Sequence, residues 1–171
     1  MRLPFSQFSE FLRRRRADAL WLKASPPVHS PAGALTVVGL LAGDANRHDL
    51  TGICGRNQWR LLFADNPCAA KKAVNELRAP VMLCDRDLVG DEWRTTLTDL
   101  AASPHRACVI LVSAVVDSYL WYEVVRFGGF DVLSKPLRED EVVRTLRLAW
   151  SYWETGRSGV GIARPGDRVS E

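Results

Sequence analysis

A chain of 171 residues that is 47% hydrophobic and 25% charged can bury one core and has no room for a second large one. It holds no apolar stretch long enough to cross a bilayer, and its opening residues carry their positive charges after the apolar ones, the wrong order for a secretory signal, so a cytoplasmic protein is expected. The formal charge of +3 is uneven, with a net +4 on residues 1–34, +1 on residues 155–171 and −2 on the centre, which excludes reading the positive total as a nucleic-acid-binding surface of the folded domain.

Residues 1–34 read as a basic arm. Phe5, Phe8, Phe11 and Leu12 fall at helical spacing ahead of four arginines at 13–16, and Pro26, Pro27 and Pro31 break the pattern. A solvated arm, a short helix, or a contact with an acidic partner, an anionic membrane or nucleic acid all fit that composition, and nothing in the residues separates them. From Leu35 the chain becomes regular. Residues 36–42 form a continuous apolar run of strand length, a helix is expected over about 47–55, and residues 59–64 read as a second strand. Asn66 with Pro67 predicts a capped helix whose inner face is Ala70, Ala73, Val74 and Leu77, ending at Pro80.

Residues 81–84 are the third strand; Trp93, Leu97, Leu100 and Ala101 mark the third helix. Residues 107–112 are the fourth strand. Leu120, Val124 and Phe127 are the inner stripe of a fourth helix closed by Gly128 and Gly129, on which Tyr119, Trp121 and Tyr122 cannot all face the sheet. Residues 132–134 are the last strand, and a final acid-led helix runs from Glu139 to about Trp153. Residues 155–171 have no apolar periodicity and read as a tail. Five strands alternating with five helices predict an α/β fold with a doubly wound, five-stranded parallel sheet covered on both faces.

The strand ends carry the chemistry. Asp44, Asp85, Ser113 and Lys135 each follow an apolar run, and in a parallel sheet such ends gather along one edge, where ligands bind. Two carboxylates, a hydroxyl and an ammonium suit a site that holds a divalent cation beside a transferable phosphoryl group. Cys54, Cys68, Cys84 and Cys108 lack the close paired spacing of zinc ligands, and His29, His48 and His105 are scattered, so neither set is assigned a metal or catalytic role.

Residues 35–154 resemble the receiver domains of two-component response regulators, in the flavodoxin-like fold. Residues 81–88, Val-Met-Leu-Cys-Asp-Arg-Asp-Leu, are similar to that family's third strand and phosphoacceptor loop, with Val89 where proline is usual. Ser113-Ala114 and Ser134-Lys135-Pro136-Leu137 resemble the hydroxyl and lysine-proline steps after the next two strands, the latter with a cis peptide in the family. The resemblance implies Asp85 as phosphoacceptor, Ser113 and Lys135 as its partners, and magnesium as cofactor.

The family's acidic pair is matched here to Gly43-Asp44, which leaves Asp44, Asp85 and the carbonyl of Asp87 as metal ligands in a weaker site, with the Asp87 side chain partly replacing the absent carboxylate. The family's switch aromatic stands as Val132, so that element is absent or moved to Phe130. The implied partners are a sensor histidine kinase or phosphotransfer protein upstream, and an effector or a second copy on the face made by the fourth helix, fifth strand and fifth helix. No nucleic-acid or membrane partner is assigned. The function expected is a stand-alone receiver in a phosphorelay, not an enzyme. The alternative is a pseudo-receiver acting as a phosphorylation-independent interaction module, to which Gly43, Val89 and Val132 point. A small enzyme or flavin carrier ranks last, because no glycine-rich cradle, nucleophile elbow or dinucleotide fingerprint is present. The phosphoacceptor reading requires Asp85 to face Lys135 and to be open to solvent.

Overall fold

The computed structural model describes residues 34–157. The arm expected over 1–34 lies outside those residues apart from Ala34, as does the tail expected over 155–171 apart from 155–157. The sheet contains β1 (Thr36–Leu40), β2 (Arg60–Phe63), β3 (Val81–Asp85), β4 (Cys108–Ser113) and β5 (Asp131–Ser134), all parallel, in the order β2-β1-β3-β4-β5. That order is the flavodoxin-like one, in which the strand sequence reverses beside β1 and β3 and opens a crevice at their C-terminal ends.

The strands are apolar on both faces because helices cover both. Successive side chains alternate across the sheet. Val38, Leu40, Met82, Cys84, Val109 and Leu111 pack under α2 (Pro67–Leu77), α3 (Trp93–Ala101) and α4 (Ser118–Arg126). Val37, Val81, Leu83, Ile110, Val112 and Leu133 face α1 (Asp44–Arg56) and α5 (Glu139–Arg157).

Local chemistry fixes the helix ends. Asn66 accepts a hydrogen bond from the Ala69 N–H at 2.8 Å with Pro67 in the first turn, as the sequence predicts. At the end of α4, Gly128 adopts φ 87°, and the Gly129 N–H reaches the Val124 carbonyl at 2.8 Å. A Cβ on Gly129 would stand 2.5 Å from Val124 Cγ1, so the chain can leave the helix only as glycine there.

Two boundaries differ from expectation in ways that matter. Helix α1 starts at Asp44, a turn before the expected Arg47, because Gly43 at φ 78° turns the backbone directly from strand end into helix. Helix α5 runs to Arg157, past the boundary expected at residue 155. Among the described residues no helix is long and apolar enough to cross a membrane.

Candidate functional site at the carboxyl edge of the sheet

Asp85 ends β3 at the crevice and caps the helical turn Arg86–Val89, its Oδ1 accepting from the Asp87 N–H at 2.9 Å. The same oxygen accepts from Lys135 Nζ at 2.6 Å, and Oδ2 accepts from the Ala42 N–H at 3.0 Å. Donors from the ends of β1, β3 and β5 therefore meet on one carboxylate, which is 0% exposed. Lys135 follows β5 with a cis peptide to Pro136, and its backbone N–H donates to the Ser113 carbonyl at 3.0 Å. Its ammonium also reaches Asp87 Oδ2 at 2.7 Å. Burial alone would lower the Lys135 pKa, but the hydrogen bonds and charges of Asp85 and Asp87 outweigh it and hold the ammonium above its ordinary value.

Sequence reasoning brought Asp85 and Lys135 together, and they are together. Ser113 lies at the end of β4, paired with Ser134 one step beyond the Asp85–Val112 pair. Its hydroxyl donates to the Val115 carbonyl at 2.8 Å and accepts from the Val115 N–H at 3.3 Å, so it is bound into its own loop.

Asp44 is the correction. Leu40 pairs with Cys84, which sets Leu41 abreast of Asp85 and Ala42 against its carboxylate. The two positions that follow β1 beside the acceptor thus carry Leu41, buried in the α1–α5 layer, and Ala42. Asp44 sits further on, exposed in the first turn of α1, where a carboxylate complements the helix dipole. Among the described residues no three His, Cys, Asp or Glu side chains are placed to hold a metal ion, and the expected set Asp44, Asp85 and Asp87 does not assemble. Magnesium needs several oxygens in near-octahedral array. The oxygens of Asp85 instead face N–H groups and an ammonium, so the residues present do not fit that ion.

Phe130, one expected seat of the moved aromatic, packs on Tyr152 of α5 with ring centroids 5.5 Å apart. Tyr119 and Tyr122 of α4 are 65% and 43% exposed, and Leu88, Val115 and Val116 are also exposed. Trp121 turns back to donate to Asp131 at 3.0 Å. Sequence reading missed Glu123, which is buried on α4 and accepts from Arg94 Nε of α3 at 2.9 Å while that guanidinium lies 4.5 Å from the Trp93 ring. The signal available was an acid one position from the apolar stripe, too common to stand out.

No protein-family model and no curated protein sequence matches the chain. Solved structures do. The signal receiver domain of an HD domain-containing protein from Pseudomonas fluorescens Pf-5 matches with a TM-score of 0.67 at 17% identity, over 78% of this chain and 99% of that one. A response regulator from Thermotoga maritima matches at 0.63 and 18% identity, over 70% of this chain and 99% of that one. NtrX from Brucella abortus, solved in complex with ADP, matches at 0.64 and 17% identity over 74% of this chain; the chain spans only 28% of that longer protein. The fold is that of signal receiver domains.

Proposed function

We propose, proceeding from this receiver-domain fold, that the chain is a receiver-type signalling domain of the pseudo-receiver kind, which acts by binding a protein partner and not by magnesium-dependent phosphoryl transfer. The observation that carries the reading is the state of Asp85: 0% exposed, bonded through both oxygens, and met past the end of β1 by the backbone N–H of Ala42 with no carboxylate beside it among the described residues. An in-line attack on a phosphohistidine needs a free carboxylate oxygen, an approach path and charge neutralisation around the crowded phosphoryl oxygens. Breaking the Lys135 contact would supply the first, and nothing on β1 would help with the third.

The binding surface in this reading is the outer side of α4, where two tyrosines and the apolar loop residues before them stand in solvent. An effector protein or a second copy is the partner it suits. Helix α4 is held to α3 by the Glu123–Arg94 pair, so the surface is presented on a fixed element.

A second reading keeps Asp85 as phosphoacceptor for a histidine kinase, with Ser113 and Lys135 assisting. The 2.6 Å approach of Lys135 to Asp85 and the place of Ser113 at the end of β4 favour it. Incubation with acetyl phosphate and magnesium, followed by intact-mass measurement of wild type and Asp85→Asn, separates the two. No adduct on a folded wild type supports the interaction module; a single phosphoryl group that disappears in Asp85→Asn replaces it with the second reading.

A further inference from the structure

The Lys135 ammonium stands between two carboxylates, 2.6 Å from Oδ1 of Asp85 and 2.7 Å from Oδ2 of Asp87. Its side chain is 13% exposed, between a sealed acid and one that is 61% exposed. An ammonium is a compact point charge with three donors, and two are already directed at carboxylates. A buried carboxylate is tolerated only when something neutralises it. Of the groups that touch Asp85, Lys135 brings the full charge and the backbone N–H groups of Ala42 and Asp87 bring partial ones.

We propose that Lys135 is the resident cation of this pocket: its ammonium supplies the charge balance between Asp85 and Asp87 and, by occupying that position, keeps divalent ions out. The proposal rests on the interaction-module reading and deepens it, since it names the group that makes the pocket independent of metal. It also separates the roles of the two acids. Asp85 is the buried charge that must be compensated, and Asp87 is the outer hand that holds the amine over it.

The test is manganese binding, followed by electron paramagnetic resonance of the free ion, on the full chain. Wild type and Lys135→Arg are expected to take up no manganese saturably through the millimolar range. Lys135→Ala, which leaves the two carboxylates without their amine, is expected to gain saturable binding, and adding Asp87→Asn to it is expected to weaken that binding at least about tenfold, the loss of one of two charged ligands. Saturable uptake by wild type overturns the proposal, as does none by a Lys135→Ala protein that melts cooperatively; should that variant not fold, Lys135→Gln, which keeps the length of the stem, is put to the same test with the same two outcomes. The two ideas fail apart. Manganese uptake by wild type without a phosphoryl adduct removes the resident cation and leaves the interaction module, whereas an adduct formed in metal-free solution removes the module and leaves the cation.

Discussion

The Ala42 N–H lies 3.0 Å from Oδ2 of Asp85, so the first strand offers the acid a hydrogen-bond donor at its end instead of a neighbouring carboxylate. Together with the ammonium on Oδ1, this makes Asp85 a structural anion that ties together the ends of β1, β3 and β5. A buried ion pair adds little net stability over apolar packing, but stripping the buried carboxylate of its counter-ion is costly.

Removing the compensation is expected to cost far more than removing the outer acid. Lys135→Ala leaves Asp85 buried without its counter-ion and should lower unfolding free energy by about 3–5 kcal/mol. Asp87→Asn breaks only the solvent-facing arm and should cost less than about 1 kcal/mol. Denaturant titrations of the two variants beside wild type check the ranking, and equal losses would contradict it.

The same ion pair predicts a pH dependence with a definite sign. The Lys135 pKa is raised in the folded state, so its contribution is fully present below the unfolded lysine value of about 10.4 and is lost as pH rises through the higher folded value. The stability gap between wild type and Lys135→Ala should therefore persist through neutral pH and narrow toward the alkaline limit as the ammonium loses its proton. A gap that closes near neutrality would show that the pair is not what stabilises the site.

The thiols should divide one against three. Burial pushes Cys54 up to about 11, and burial followed by the nearby Asp85 charge pushes Cys84 up to about 12. Cys108 is buried with its Sγ against the Ala149 carbonyl at 3.4 Å, while Cys68 is exposed on α2. A disulfide reagent should titrate one thiol in the native protein and four after denaturation. Rapid reaction of Cys84 would mean that the pocket floor opens freely.

The link between α3 and α4 should matter for the proposed binding face. Arg94→Ala strips the buried Glu123 of its 2.9 Å partner and leaves Arg126 at 3.6 Å, so a loss of stability is expected. Amide exchange in α4 should quicken in that variant more than exchange in α1, which lies on the other side of the sheet. Equal quickening in both helices would show the pair acts on global stability alone.

The alternation of apolar strands with amphipathic helices made the fold legible, because burial on both faces leaves a continuous apolar signature that loops cannot imitate. Asp85 and Lys135 were legible for a related reason: each follows its strand at once, so the sheet carries them to one edge. Asp44 was misplaced because an acid near the end of β1 was matched by residue type, while the register of β1 on β3 decides which side chain flanks Asp85, and that depends on where Gly43 turns the chain into α1. Leu41 and Ala42 gave no chemical signal of their own. The closure of Ser113 onto Val115 and the seat of Lys135 between two acids depend on side-chain rotamers, which no pattern in the chain encodes.

Whether Asp85 is a closed, compensated anion or a phosphoryl acceptor is decided by intact-mass measurement of the wild-type chain after exposure to acetyl phosphate and magnesium. A closed anion leaves the mass of the folded protein unchanged; a single added phosphoryl group that is absent from Asp85→Asn makes Asp85 the acceptor.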